Sequence, residues 1–234
     1  MNEVVQPALL TAMAVYAAYA PLPAAAARLI NYAEKPREAA RPDEVKKLYL
    51  TFDDGPDREH TPELLDLLAE NKVRASFFMV ADFARENRGI VERAAREGHL
   101  IGLHSYRHSC ALLMSPQRTK EDIEESFDVM RELGVEVRYF RAPWGLVNLA
   151  MERRLARLGA QTVFWDVMAE DWRGDTTAEI IGEKLRRRVR NGSIVCLHDG
   201  RGENDAPSRT IEALRAVLPE WKREGYRFMR IDER

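Results

Sequence analysis

The stretch LYLTFDDGP, residues 48–56, carries the reading of this chain. Leu48 to Phe52 is a run of apolar and β-favouring residues that ends in two adjacent aspartates and a Gly-Pro pair. Asp-Gly-Pro is ordinary turn chemistry, so the run reads as a strand that stops at its acids. In an extended strand neighbouring side chains point to opposite sides. Asp53 and Asp54 therefore read as two carboxylates with two jobs, one holding a metal and the other facing the water on that metal.

Outward from this strand the pattern alternates. TPELLDLLAENK has leucines at helical spacing, with Thr61 as N-cap and Pro62 at the first helical position. RASFFMV is a strand, IVERAAREG a helix, HLIGLH a strand and QRTKEDIEESFDVMRELG a long amphipathic helix. VRYFRAP, QTVFWDV, SIVCLHDG and YRFMRI follow as strands, separated by three further helical runs. Single strands alternating with single helices predict βαβ units around a parallel sheet of about seven strands, open or partly closed into a barrel.

The chain has 234 residues and a net charge of −2, from 36 basic and 38 acidic side chains. That balance lacks the basic excess of a nucleic-acid binder. The one dense basic run, Lys184 to Arg190, precedes Asn-Gly and reads as a helix C-terminus complementing the helix dipole. The two cysteines make no disulfide framework. Cys196, inside SIVCLH, reads as a buried reduced thiol.

Three segments are expected: an apolar stretch over 1–30, a linker over 31–45 and a catalytic domain over 46–234. Val4 to Ala27 carries no charge, and ten of its positions are alanine. The stretch reads as a membrane anchor or uncleaved signal, or as an apolar helix packed on the main domain. An anchor or signal implies a cell-envelope location, membrane-anchored or exported. The basic residues after the stretch instead favour a cytoplasmic main domain by the positive-inside rule. EKPREAARPDE, residues 34–44, is polar and proline-bearing and reads as linker.

Reactive side chains fall where the strands end. Asp53 and Asp54 end the first, His104 ends HLIGLH with His108 four residues on, and Arg141 ends VRYFR. Asp166 ends QTVFWD, with Asp171 and Trp172 beyond, and His198 and Asp199 end SIVCLHD. In parallel α/β folds the carboxyl ends of the strands face one mouth, where active sites are built. The paired imidazoles of HSYRH with one carboxylate make a three-ligand nitrogen and oxygen site that leaves a position open for water. Arg141 is the natural counter-ion for the second aspartate. His198 supplies a group able to protonate a leaving amine, and Asp171 is placed to orient it.

In this order TFDDG, HSYRH, RAPWG, AEDW and IVCLHD resemble the five motifs of the polysaccharide deacetylases, the NodB-like carbohydrate esterases of family 4, from about Leu48 to the C-terminus. The resemblance implies an α/β fold, a distorted (β/α)7-like barrel with parallel strands. It implies Asp53 as general base oriented by Arg141, and Asp54, His104 and His108 as ligands of a divalent metal, zinc first with cobalt or nickel as alternatives. It implies His198 as general acid tuned by Asp171, an oxyanion donor in the Trp144 main chain, and a groove walled by Pro143, Trp144 and Trp172. The implied reaction removes an N-acetyl group from an amino sugar of a polysaccharide such as peptidoglycan or chitin, with no nucleic-acid partner. Met168 stands where the family often has an aspartate, which leaves that wall of the groove open. Two other readings are a non-catalytic carbohydrate-binding member of the fold and an amidohydrolase acting on a non-sugar amide. Presence of all five motifs argues against the first.

Overall fold

The computed structural model describes residues 2–33 and 45–234, with side chains at 9–30 in the first part. Residues 34–44, the core of the expected linker, lie outside the described residues. In chain order the elements begin α1 (Asn2–Tyr19), α2 (Pro21–Ala33), β1 (Lys46–Asp53), α3 (His60–Glu70), β2 (Ser76–Met79), α4 (Ala81–Glu86), α5 (Arg88–Arg96) and β3 (Leu100–Leu103). They continue α6 (Pro116–Glu132), β4 (Tyr139–Phe140), α7 (Leu149–Arg157), β5 (Gln161–Thr162) and β6 (Val167–Met168). The last four are α8 (Ala178–Arg188), β7 (Ser193–His198), α9 (Ala206–Arg223) and β8 (Tyr226–Phe228).

All strand pairings are parallel, in the order β5-β4-β3-β2-β1-β7-β6, with β8 beside the start of β1. β1 is the axis, buried from Leu48 to Asp53. Its faces alternate with period two. Leu48, Leu50 and Phe52 join the layer under the helices, whereas Tyr49 joins Phe78, Val163, Ile194 and Ile231 in a second cluster. Burying each of Leu48, Leu50 and Phe52 contributes roughly 1.5–3 kcal/mol. Thr51 and Asp53 follow Tyr49 on its face, so the strand turns polar towards its carboxyl end.

The run QTVFWDV is not one strand. Its two ends, β5 and β6, sit at opposite edges of the sheet, which makes eight strands among the described residues. The sheet curls until its edges nearly meet, and Val163 to Asp166 cross between them. Val163 N–H donates to the Phe140 carbonyl at 2.8 Å and Asp166 N–H to the Ile194 carbonyl at 2.9 Å. Asp166 Oδ2 accepts from Ile194 N–H at 2.9 Å, so this acid ties the edge and is not part of the mouth. A segment pairing with both edges cannot be a continuous strand with one partner.

Helix α3 begins at His60, earlier than Thr61 as N-cap predicts. Asp57 Oδ1 accepts from the Glu59 and His60 N–H groups, each at 2.9 Å, and does the capping. The Thr61 hydroxyl instead accepts from Asp57 N–H and donates to Asp199 Oδ2 at 2.6 Å.

The apolar stretch forms α1 and α2, broken at Ala20 before Pro21. Ala20 and Ala24 are buried. Tyr16 Oη donates to the Leu112 carbonyl and Tyr19 Oη bonds the Thr119 hydroxyl, each at 3.2 Å. Arg28 donates to the Trp144 carbonyl at 3.0 Å. Leu9, Leu10, Met13, Leu22, Leu29 and Ile30 remain exposed, and Leu9–Ile30 is long and apolar enough to cross a membrane.

Candidate active site

β1 delivers Asp53 to the mouth and stops there. Asp54 has φ 72°, a left-handed backbone, so it leaves the strand at once. The pleat therefore does not separate the two carboxylates; the turn does. Two glycines permit it. A Cβ on Gly200 would lie 2.5 Å from the Asp54 carbonyl oxygen, and one on Gly55 would fall on the Asp199 carboxylate.

His104 follows β3, and His108 closes a loop in which Ser105 and His108 both have positive φ, 65° and 59°. Neither lies on a helical turn; the loop brings the imidazoles together. Donor atoms of Asp54, His104 and His108 all lie within 4.8 Å of one another. His104 Nε2 is 3.4 Å and His108 Nε2 3.1 Å from Asp54 Oδ1. His104 Nδ1 is 2.8 Å from the Arg141 carbonyl, which only accepts. That nitrogen must carry the proton, so neutral His104 turns the lone pair of Nε2 towards a carboxylate oxygen. Two lone pairs repel unless a cation lies between them. Asp54 Oδ1 is buried without a hydrogen-bond partner, the atom such a cation would satisfy. Burial pushes the Asp54 carboxyl up, but the two imidazoles outweigh it and hold it well below the usual carboxylate range. The donor set thus fits a divalent metal with nitrogen and oxygen preference.

Asp53 is held from behind. Arg141, fully buried, donates from Nη1 to Asp53 Oδ1 at 2.7 Å and to Thr51 Oγ1 at 2.6 Å. Its guanidinium lies 4.1 Å from the Phe78 ring centre. Cys196 Sγ donates to Asp53 Oδ2 at 3.3 Å. Burial, with the Asp53 charge adding to it, pushes this thiol well up, so it stays a neutral donor.

His198 ends β7, in register with Asp53. Its Nδ1 is 3.0 Å from Asp171 Oδ1, and its N–H donates to Asp171 Oδ2 at 2.8 Å. Thr210 Oγ1 donates to the same Oδ2 at 2.9 Å, fixing the carboxylate. Burial pulls the imidazole down, but the Asp171 charge and hydrogen bond outweigh it, and His198 is pushed up to about 9. Its side chain is only 14 % exposed.

These groups open into one cavity of about 500 Å³. Trp144, half-exposed and edge-on to the His108 ring at 4.4 Å, lines it, as does Trp172, edge-on to His198 at 5.3 Å. Trp144 sits in a short 3-10 turn with φ 56°, and its N–H has no hydrogen-bond partner among the described residues. Pro143 is buried and does not line the cavity, because it opens that turn and presents Trp144 instead of a wall of its own. Met168 does line it. The Asp171 carboxylate and the Arg141 guanidinium lie behind the groups they hold.

Five lining residues escaped the sequence reading as site residues: Arg28, Trp165, Cys196, Arg201 and Gly202. For Cys196 a signal existed. It lies two residues before His198 on the same strand face, as Thr51 does before Asp53, and it pairs with Thr51 across the sheet. Trp165 lies in the crossing between sheet edges, and Arg28 lies in a segment far away in sequence, so spacing signals neither.

The sequence model of the family described as polysaccharide deacetylase matches residues 40–163, just over half of the chain. A Bacillus cereus protein named peptidoglycan-N-acetylglucosamine deacetylase is 35% identical over 194 residues, covering 82% of this chain and 89% of that one. A chitooligosaccharide deacetylase of Bradyrhizobium sp. is 30% identical over 192 residues, covering 78% and 87%. Among solved structures, a family 4 acetyl xylan esterase from Clostridium thermocellum in complex with cobalt is 32% identical with a TM-score of 0.73, covering 80% of this chain and 89% of that one. Likeness in sequence, in the curled parallel sheet and across the matched segment that holds Asp53, Asp54, His104, His108 and Arg141 leads to one conclusion: the chain belongs to the polysaccharide deacetylase family.

Proposed function

We propose that the protein is a metal-dependent hydrolase that removes the N-acetyl group from an N-acetylated amino sugar within a polysaccharide, leaving a free amine and acetate. One observation carries this reading. Arg141-held Asp53 and Asp171-held His198 open into the same cavity as the Asp54, His104 and His108 group. The names of relatives acting on peptidoglycan N-acetylglucosamine and chitooligosaccharides supply the substrate class.

We assign Asp54, His104 and His108 to the metal and take zinc as its identity; a site of one carboxylate and two imidazoles also accommodates cobalt or nickel. When bound, the cation supplies Lewis-acid polarisation of the acetyl carbonyl and acidifies water. Asp53 removes the proton of the attacking water, and Arg141 keeps it aimed. The Trp144 main-chain N–H donates to the developing oxyanion. Protonated His198 gives its proton to the departing nitrogen, with Asp171 stabilising the imidazolium. Trp144 and Trp172 hold the sugar ring. Residues 1–30 would hold the catalytic domain, 46–234, against the surface of a membrane at the cell envelope: α1 and α2 pack on that domain through Tyr16, Tyr19 and Arg28 and turn Leu9, Leu10, Met13, Leu22 and Leu29 outward.

Acetate release from N-acetylglucosamine oligomers tests the reading. The wild type releases acetate, a chelator stops it and added zinc restores it, while Asp53→Asn keeps its metal and loses turnover. Tight oligomer binding without acetate would make the protein a carbohydrate-binding member of the fold. Activity confined to non-sugar amides would overturn the substrate class.

A further inference from the structure

Two arginines at the mouth of the cavity have no part in the chemistry above. Arg28 comes from α2 and Arg201 from the turn after β7, and both line the same cavity as Asp53, Asp54 and His198. Neither pairs with a carboxylate among the described residues, whereas Arg173, Arg186 and Arg215 are each paired with a nearby acid. Both are exposed, and each stands beside an aromatic wall. Arg28 donates one N–H to the Trp144 carbonyl at 3.0 Å, and the rest of its guanidinium fork has no acceptor among the described residues. Arg201 has φ 59° and precedes Gly202, φ 89°, where an added Cβ would lie 3.2 Å from the Trp172 main chain. The turn that displays Arg201 is thus pressed against Trp172.

The carboxylates inside the cavity already have partners. Asp53 faces Arg141, and Asp54 faces the imidazole pair with which it would hold a cation. The two free guanidinium groups therefore make the rim positive on a chain whose net charge is −2. Sugar rings stack on tryptophan faces, and guanidinium forks match carboxylates in a bidentate geometry that neutral sugars do not offer.

We propose that Arg28 and Arg201 form a carboxylate-recognising rim on the two tryptophan walls, so that the substrate is a glycan in which a carboxylate-bearing sugar neighbours the N-acetylated one. This rests on the deacetylase reading and narrows its substrate. The carboxylate has two chemical sources, a lactyl ether on the sugar or a uronic acid.

The test compares kcat/KM for acetate release on four probes: a neutral N-acetylglucosamine tetramer, peptide-free glycan alternating N-acetylglucosamine with its lactyl ether, glycan alternating N-acetylglucosamine with glucuronic acid, and the lactyl glycan with its carboxylates converted to methylamides. At low salt at least one acidic glycan is preferred over the neutral tetramer by about tenfold or more, the size of a charged hydrogen bond. Amidation removes that preference and added salt reduces it. Arg28→Gln with Arg201→Gln brings the ratio close to one, and the lysine pair restores part of it. Because the readout is a ratio within one preparation, a poorly folded fraction cancels. Which acidic glycan is preferred identifies the source. Equal use of neutral and acidic probes, or a preference surviving in the double variant, overturns the proposal and leaves the deacetylase reading standing. Acetate from none of the probes overturns both.

Discussion

His104 and Arg141 are joined by a hydrogen bond of 2.8 Å from imidazole Nδ1 to the main-chain carbonyl. The same arginine donates through its side chain to Asp53 at 2.7 Å. One residue therefore orients both halves of the site, the imidazole assigned to the metal through its backbone and the carboxylate proposed to activate water through its guanidinium. Side-chain replacement separates the two roles.

Arg141→Lys should keep the metal and lose the chemistry. The carbonyl that fixes the His104 tautomer is unchanged, so metal stoichiometry stays at the wild-type value. An ammonium lacks the Nε and Nη2 groups whose bonds to the Val163 and Phe164 carbonyls aim Nη1 at Thr51 and Asp53. Turnover should fall by about 10²–10⁴-fold, the usual contribution of a positioned general base. Elemental analysis beside an acetate assay checks this; metal loss in this variant would show that the side chain, not the carbonyl, secures His104.

With His198 as the proposed general acid, the alkaline limb of activity should follow its titration. Its pKa is raised from 6.5 to about 9, so the protonated form that would serve the leaving amine persists below about 9 and is lost above it. Asp171 is the chief upward influence, opposed by burial. Asp171→Asn removes that influence, and the limb moves down to the ordinary histidine value or lower. At pH 8 the protonated fraction would then fall roughly thirtyfold, and much less at pH 6. A pH profile of kcat for both proteins decides it. A parallel loss at all pH values would make Asp171 an orienting group only.

Metal removal should cost stability as well as activity. A cation that binds the folded chain at 100 times its dissociation constant adds about 2.7 kcal/mol. For a domain of this size that is roughly 5–11 °C in Tm. Thermal unfolding with and without chelator should show the difference in the wild type and in Asp53→Asn. It should vanish in Asp54→Asn, which loses the only carboxylate of the group. A chelator-sensitive Tm that persists in Asp54→Asn would place the ion elsewhere.

Much of this site is legible in the sequence because its chemistry sits at strand ends, where period and position are both readable. β1, the HSYRH pair, Arg141 and the Asp171–His198 pair follow from that rule. What is not legible depends on backbone choices that leave little trace. The left-handed Asp54 is invisible in LYLTFDDGP, since an ideal strand also separates neighbouring side chains. QTVFWDV reads as one strand because nothing local says that its ends will pair with opposite edges of a curled sheet. Pro143 reads as a wall because its role, opening the turn that presents Trp144, depends on φ at the next residue. Arg28 reaches the cavity only through the packing of α2, which no motif encodes.

The turn at Asp54 can be tested through glycine. A methyl group on Gly200 would lie 2.5 Å from the Asp54 carbonyl oxygen and 3.2 Å from the Gly55 Cα, both main-chain atoms that cannot rotate away. Gly200→Ala must therefore push the Asp54 turn from its place and carry the carboxylate with it. Metal affinity should fall by about 10–100-fold, as when a group orienting a ligand is lost. Gly89 is the matched control. It lies in α5 with nothing within 4 Å of an added Cβ, so Gly89→Ala should stabilise the helix by about 0.5–1 kcal/mol and leave metal affinity alone. Metal titration and thermal unfolding of the two variants side by side give the result. Unaltered affinity in Gly200→Ala would mean that the turn yields without moving Asp54, and that the ligand geometry is set by the histidine loop instead.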